Sequence, residues 1–193
     1  VSFLVPSLRR DFGGCAGNIA YSLKLLGGEA LPMATLGTDG AEYLQRLSAL
    51  GISDQFVKQV DGTYTAQAMI MTDRDNNQIT AFHPGAMMQA HVTRIAADPR
   101  IRLGIISPDG RDATLEHASQ LVAAGIPFVF DPGQGLPMFN GAELSQFIEQ
   151  ATWVTVNDYE GKMLCDRTGL SLSDISRKVQ GLVVTLGAEG ADV

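Results

Sequence analysis

The sequence has few of the residues on which disulfide frameworks, nucleic-acid surfaces and membrane spans depend. Only two of its 193 residues are cysteines, Cys15 and Cys165, which is too few for a disulfide framework and typical of a reducing compartment. Acidic residues outnumber basic ones by 21 to 14, and the net charge of −7 argues against a nucleic-acid surface. The longest apolar runs are strand-sized, well short of the roughly 18 residues that span a bilayer. We therefore expect a cytoplasmic protein that binds neither nucleic acid nor membrane, with both thiols small and buried.

Several signatures of catalytic sites are also missing. The sequence contains no Gly-x-x-x-x-Gly-Lys phosphate loop, no Gly-x-Gly-x-x-Gly dinucleotide loop and no Gly-x-Ser-x-Gly nucleophile elbow. These absences argue against a P-loop fold and against the commonest class of hydrolase. His83 and His91 have no cysteine or carboxylate cluster at zinc-ligand spacing, so we predict no transition-metal site. His117 is expected on the surface of a helix.

Strand-like apolar runs alternate with helical periodicity along most of the chain, which is typical of a mostly parallel α/β sheet with flanking helices. Helices are predicted at residues 15–26, 38–50, 113–124, 141–150 and 158–165. Strands are predicted at residues 30–36, 103–106, 127–130, 153–156 and 181–186. Because these strands are continuous apolar runs, helices should cover both faces of the sheet.

One region interrupts this alternation. Residues 63–72 and 78–83 favour strands, and the turn-forming sequence at 73–77 between them predicts a β-hairpin. Together with residues 2–5 it would form a small antiparallel flap standing off the main sheet; the alternative is an edge hairpin of that sheet. Phe82 offers an aromatic face on which a purine could stack, although an aromatic residue in a hairpin is more often part of a core.

A glycine cluster leads directly into the first predicted helix. In Gly13-Gly14-x-x-x-Asn18 the glycines permit close backbone approach and positive φ. The exposed N–H groups at a helix start favour an oxygen-rich or anionic ligand, and Asn18 adds a donor and an acceptor. The alternative is a plain strand-to-helix turn in which Asn18 is a local cap. Asp39 is expected to cap the helix that follows it.

Polar residues lie at or just beyond the carboxyl ends of three predicted strands: Gln134, Asn157 and Thr185. Open α/β sheets bind ligands at the carboxyl ends of their strands, so these residues should converge on one site. An amide and a carboxylate such as Asn157 and Glu160 suit phosphoryl transfer, which needs charge neutralisation more than covalent chemistry. Alternatively, Asn157 and Glu160 form only a capping box, and the glycines around Gln134 and after Thr185 form only turns.

Three motifs resemble those of the ribokinase family of carbohydrate and nucleoside kinases, both in their residues and in their order along the chain. They are Gly13-Gly14-x-x-x-Asn18, Asn157-x-x-Glu160 and Thr185-x-Gly187-x-x-Gly190. The runs at 67–73 and 78–86 are most similar to the bacterial adenosine kinases. The resemblance implies one ribokinase-like α/β domain over residues 1–193, with a small antiparallel β lid formed by segments at about 1–12 and 61–86.

The resemblance also implies roles for single residues. The family's substrate loop matches Gly13, Gly14 and Asn18. Its catalytic pair, which acts on the phosphates and, through water, on Mg²⁺, matches Asn157 and Glu160. Its ATP segment matches Thr185, Gly187 and Gly190. Contacts to a nucleoside are assigned to Phe82 and Gln134.

The implied activity is Mg²⁺-dependent phosphoryl transfer from ATP to the 5′-hydroxyl of adenosine, with a possible homodimer through the lid. A sugar kinase of the same family is the alternative enzyme. The family's acidic residue before the Gly-Gly motif and its Gly-Ala-Gly-Asp base motif do not occur in the sequence. We therefore expect a fragment of a longer family member that does not turn over alone, and a non-catalytic nucleoside-binding or dimerising module is the alternative of another class.

Overall fold

The computed structural model describes residues 4–95 and 98–193. Its α-helices are α1 (Cys15–Leu25), α2 (Ala41–Ala49), α3 (Arg111–Ala123), α4 (Gly141–Gln150), α5 (Asp158–Thr168) and α6 (Leu172–Ser176). Its strands are β1 (Ala34–Leu36), β2 (Val57–Gln59), β3 (Gln67–Thr72), β4 (Gln78–His83), β5 (Gly104–Ile106), β6 (Phe128–Phe130), β7 (Trp153–Asn157), β8 (Gly181–Thr185) and β9 (Ala191–Asp192). Short 3-10 helices lie at Gly85–Val92, Gly133–Met138 and Gly187–Glu189. Among the described residues, no helix is long and apolar enough to cross a membrane.

The largest sheet has five strands in the order β5-β6-β7-β8-β9. Strands β5 to β8 are parallel, and β9 pairs antiparallel with β8. Helices α3, α4 and α5 follow β5, β6 and β7 in the chain, as the crossover connections of a parallel sheet require. The predicted α/β architecture is confirmed, and the carboxyl ends of β5 to β8 lie along one edge of the sheet.

Aromatic and aliphatic side chains fill the space between this sheet and its helices. Phe130 of β6 stacks on Phe147 of α4 with ring centroids 4.5 Å apart, and Phe139 meets Phe147 edge-on at 5.2 Å. Val154 of β7 and Leu164 of α5 belong to the same buried cluster. This packing anchors β6 and β7 and therefore the loops that follow them.

The amino-terminal helices pack separately. Ala20 of α1, Leu47 of α2 and Ile52 form a second buried cluster, against which Val57 of β2 packs. Strands β1 and β2 pair in parallel as a two-stranded sheet of their own.

The predicted hairpin is present as a sheet of its own. β3 and β4 pair antiparallel from Gln67 opposite His83 to Thr72 opposite Gln78, and the side chains of both strands are exposed. The interpretation as an edge hairpin of the main sheet is wrong, because this pair belongs to a separate two-stranded sheet. Of the segment expected to extend the flap, residues 2 and 3 lie outside the described residues, and residues 4 and 5 are not in a strand.

The expected cap at Asp39 is wrong. Gly40 is the N-cap of α2 and makes no side-chain capping bond. The Asp39 carboxylate instead accepts hydrogen bonds from the Thr65 backbone N–H at 2.7 Å and from the Gln67 side chain at 3.0 Å. The backbone bond from Thr65 is the main reason that the pKa of Asp39 lies below its ordinary value. Asp39 thus ties the start of the hairpin to the amino end of α2.

The expected surroundings of His117 and the cysteines also need correction. His117 is buried, with Nε2 2.8 Å from the carbonyl oxygen of Thr93. The 3-10 helix Gly85–Val92 packs against α3 and covers this face, and burial lowers the pKa of His117. Cys15 is exposed and Cys165 only partly buried, since neither thiol lies within the main core.

Candidate active site

Two of the predicted motifs lie side by side at the edge of the main sheet. Asn157 is the last residue of β7, Thr185 is the last residue of β8, and the two are register partners in the parallel pair. Neighbouring strands are about 4.7–4.9 Å apart. The structure therefore brings Asn157 and Thr185 together, as the topology predicts.

Asn157 and Glu160 form a reciprocal capping box at the start of α5. Asn157 Oδ1 accepts from the Glu160 backbone N–H at 2.7 Å, and Glu160 Oε2 accepts from the Asn157 N–H at 2.9 Å. The capping interpretation is thus correct as geometry. Capping occupies one oxygen of each side chain, so the Asn157 amide nitrogen and Glu160 Oε1 remain for a ligand. The box fixes the orientation in which both would be presented.

The segment after Thr185 turns the chain back into β9. Gly187 and Gly190 have φ values of 60° and 99°, and the Leu186 N–H donates to the Gly190 carbonyl at 2.8 Å. The interpretation of these glycines as a turn is thus correct as geometry, and the turn joins the antiparallel strands β8 and β9. Thr185 is exposed, so its hydroxyl is open to a ligand at the sheet edge.

The glycine loop has the open backbone that a binding loop needs. Gly14 is the N-cap of α1 with φ 91°, a conformation that side chains disfavour. A Cβ added at Gly13 or Gly14 would have no atom within 4 Å. Asn18 does not cap α1, because no side chain makes a capping hydrogen bond there. Asn18 is exposed. The first N–H groups of α1 and the Asn18 amide are therefore available together.

Electrostatic effects connect this loop with the sheet edge. Partial burial of the sulfur, then the negative charges of Asp131 and Asp109, raise the pKa of Cys15, the first residue of α1. Asp131 follows β6, and its own pKa is raised by burial and then by the charge of Glu160. The start of α1 thus lies within electrostatic range of the loops after β5 and β6, and the loop after β6 lies within range of the start of α5.

Asp109 is a residue of this edge that the sequence reasoning did not single out. It follows β5, its Oδ1 accepts from the Gly110 N–H at 2.7 Å, and burial raises its pKa to about 6. The sequence does mark Asp109 by its position, because Asp109 follows a predicted strand just as Gln134 and Asn157 do. Perturbed carboxyl groups at such positions are common in functional sites.

The two residues assigned to the nucleoside lie in different parts of the structure. Gln134 is exposed in the 3-10 helix Gly133–Met138 that follows β6, so it belongs to the sheet edge. Phe82 lies in β4 of the separate hairpin and is 54% exposed. It is not a core residue.

The donor set at α5 fits a magnesium ion bound through water. Mg²⁺ usually takes one or two carboxylates together with substrate phosphates and keeps several of its waters. Glu160 presents a carboxylate oxygen outside its capping bond. Across residues 4–95 and 98–193, no group of three or more His, Cys, Asp or Glu side chains is placed to hold a metal ion. An ion beside Glu160 would therefore draw ligands from water and phosphate.

Several known proteins with similar sequences and structures are kinases. The pattern of the pfkB family carbohydrate kinases matches residues 1–193. The nucleoside kinase of Methanocaldococcus jannaschii is 29% identical over 98% of this chain and 63% of its own length. The structure of Burkholderia thailandensis nucleoside kinase in complex with inosine is 57% identical, with a TM-score of 0.93 over 99% of this chain and 63% of that chain.

The same Burkholderia thailandensis enzyme in complex with ADP-inosine has a TM-score of 0.91 and 57% identity, over 99% of this chain and 60% of that chain. The chain thus spans less than two thirds of the length of these relatives. Its fold is ribokinase-like, and the chain belongs to the pfkB family of carbohydrate kinases.

Proposed function

We propose that the complete protein transfers the γ-phosphoryl group of ATP to the 5′-hydroxyl of a purine nucleoside. The observation that carries this proposal is the register of β7 and β8, which sets Asn157 beside Thr185 at the carboxyl edge of the sheet. The 57% identical relative binds inosine, and the motif resemblance favours adenosine. Both ligands are purine nucleosides, and adenosine is our first candidate.

The glycine loop would hold the ribose. Gly13 and Gly14 leave space for close approach of the sugar hydroxyls, and Asn18 supplies an exposed amide beside them. The unpaired N–H groups at the start of α1 add donors at the positive end of the helix dipole.

The capping box would serve the phosphates. The Asn157 amide would donate to phosphate oxygens, and Glu160 would hold Mg²⁺ through water. When bound, Mg²⁺ supplies neutralisation of the phosphate charge, the main requirement of this reaction. Thr185 and Gly187 would border the nucleotide, with Gly190 closing the turn behind them. The capping hydrogen bonds hold the two side chains in place before the substrates arrive, so little reorganisation is needed.

The hairpin favours a nucleoside over a free sugar. Phe82 and Ile70 lie on the same face of the hairpin and are 54% and 53% exposed. Exposed apolar side chains of this kind match the face of a purine, which ribose or fructose lacks. We therefore propose that the hairpin is a lid whose Phe82 face covers the base, with Gln134 contacting a polar group of the nucleoside from the sheet edge.

The opposite face of the hairpin suits a second copy of the chain. Met69, Met71 and Ile79 lie there and are 56%, 47% and 70% exposed. Apolar side chains grouped on one exposed face are typical of interaction sites. We propose a homodimer formed through this face.

Substitutions on the two faces separate these roles. In the complete protein, Phe82→Ala should weaken adenosine and inosine binding by about 1–3 kcal/mol, the cost of a lost stacking contact, with ribose binding unchanged. Ile79→Ala, the matched control, should leave nucleoside affinity unchanged and weaken self-association. Calorimetric titration and analytical ultracentrifugation measure the two effects. Tighter binding of ribose or fructose than of either nucleoside by the unsubstituted protein would instead identify a sugar kinase.

A further inference from the structure

We infer that Tyr43 positions the substrate loop by holding the Gly13 carbonyl, and that residue 17 is a glycine because Tyr43 occupies the space of its side chain. The inference rests on the proposed role of Gly13 and Gly14 in substrate binding. The Tyr43 hydroxyl donates to the Gly13 carbonyl oxygen at 2.7 Å, from 30 residues away in the sequence. A Cβ added at Gly17 would overlap the hydroxyl oxygen of Tyr43.

The Tyr43 ring is itself held in place. Phe12 packs against it edge-on, with ring centroids 5.6 Å apart at an interplanar angle of 81°. The guanidinium of Arg46, one turn further along α2, lies 5.2 Å from the Phe12 centroid and 5.9 Å from the Tyr21 centroid. Burial raises the pKa of Tyr43, so its hydroxyl keeps the proton that it donates.

Fixing the Gly13 carbonyl also fixes the N–H of Gly14. The two groups belong to one planar trans peptide and point in opposite directions. With the carbonyl directed at α2, the Gly14 N–H is directed away from α2 and away from Tyr43. Two adjacent glycines are the most flexible dipeptide that a chain can contain, so a hydrogen bond from outside the loop is what selects this orientation.

Gly17 and Tyr43 should therefore act as one unit. Gly17→Ala would push the hydroxyl away from Gly13, whereas Tyr43→Phe would remove the hydroxyl and keep the ring. In a Gly17→Ala/Tyr43→Phe variant the new methyl group would lie 3.1 Å from Cζ, the ring carbon that carries the hydroxyl in Tyr43. This is a tight contact that a small shift relieves. The effects of the two substitutions on nucleoside binding should overlap rather than add.

Kinetics of the complete protein test this coupling. Tyr43→Phe should raise the nucleoside KM by about 2- to 12-fold, the range for one lost neutral hydrogen bond, and leave the ATP KM unchanged. Gly17→Ala should do the same. The double variant should be no worse than the more impaired single variant, whereas independent effects would multiply. Tyr21→Phe, which removes a hydroxyl from the same cluster, is the matched control and should change neither KM. A normal nucleoside KM in Tyr43→Phe, or equal rises in both KM values, would overturn the inference.

A measurement without ligand separates this inference from the proposed function. The ¹⁵N relaxation order parameters of the Gly13 and Gly14 amides should fall in Tyr43→Phe and in Gly17→Ala, and stay at wild-type values in Tyr21→Phe. Unchanged order in Tyr43→Phe would refute the positioning role whatever the protein binds. If the order falls as expected but the unsubstituted protein binds no nucleoside, the proposed function fails and the positioning of the loop stands.

Discussion

Replacing Glu160 by Gln tests whether this carboxylate serves the reaction or only caps α5. The substitution keeps an oxygen that can accept from the Asn157 N–H, a bond of 2.9 Å in the structure, and removes only the charge. A matched capping box exists in the same chain: Asn140 and Glu143 cap α4 with the same pair of bonds, at 3.0 and 2.9 Å. Glu143 also pairs with Arg111.

A capping role and a catalytic role of Glu160 predict effects of different size on stability and on kcat. A negative charge in the first turn of a helix stabilises the helix by about 0.3–1 kcal/mol, and Glu160→Gln loses this stabilisation. Removing the charge also relieves its repulsion of Asp131, which acts in the opposite direction. Glu160→Gln should therefore change the free energy of unfolding by less than about 1 kcal/mol. A directly placed electrostatic group contributes about 10²–10³ to kcat, so a carboxylate acting through water should contribute about 10- to 100-fold.

The assay is kcat as a function of Mg²⁺ concentration at saturating ATP and nucleoside, with thermal unfolding measured in parallel. Glu160→Gln should lower kcat, shift the Mg²⁺ dependence to higher concentration and leave nucleoside affinity almost intact. Glu143→Gln, which also loses the pair with Arg111, should cost at least as much stability and leave kcat unchanged. If Glu160→Gln is less stable but fully active, like Glu143→Gln, then Glu160 is a cap and nothing more.

Two further predictions concern carboxylates outside that pair. Asp109→Asn should stabilise the protein by up to about 3 kcal/mol above pH 6, because burial raises the pKa of Asp109 from 3.8 to about 6. The gain should vanish below about pH 4, where Asp109 is protonated in both the folded and the unfolded state. Urea unfolding at several pH values measures this trend, and its absence would contradict the prediction. Asp39→Ala should speed amide hydrogen exchange at Thr65 and along β3 but not in β7, since it removes the bonds to Thr65 and Gln67; equal exchange in the two proteins would mean that Asp39 does not anchor the hairpin.

The main sheet is predictable from sequence because its pattern is local. Strands β5, β6 and β7 are each a short apolar run with an α-helix later in the chain, and β8 is a further apolar run. The order of elements therefore implies the edge where Asn157 and Thr185 meet. The hairpin is predictable because the turn at 73–77 has a local signature: Asp73 accepts from the N–H groups of Asp75 and Asn77, at 2.8 and 3.0 Å.

Motif spacing alone could not single out the capping box that we propose serves the phosphates. Asn-x-x-Glu occurs at Asn140 and again at Asn157, and both form the same local structure. What distinguishes them is position: Asn157 ends a parallel strand beside Thr185, whereas Asn140 follows a 3-10 helix.

Long-range contacts account for most of what the sequence reasoning missed. The hydrogen bonds between Thr65 and Asp39, between His117 and Thr93, and between Tyr43 and Gly13 join residues 24 to 30 positions apart. None of these pairs has a periodicity or a spacing that marks it, because each depends on how separate elements pack. The burial of His117 in particular depends on a 3-10 helix that no apolar pattern indicates.

Identifying the phosphorylated product of the complete protein tests the central claim most directly. The protein would be incubated with ATP and Mg²⁺ and with adenosine, inosine, ribose or fructose, and the products identified by chromatography and mass spectrometry. The account predicts nucleoside 5′-monophosphates, with kcat/KM for a purine nucleoside higher than for ribose by about 5- to 150-fold, the value of one stacked base. A higher kcat/KM for ribose or fructose, or no phosphoryl transfer to any nucleoside, would contradict it.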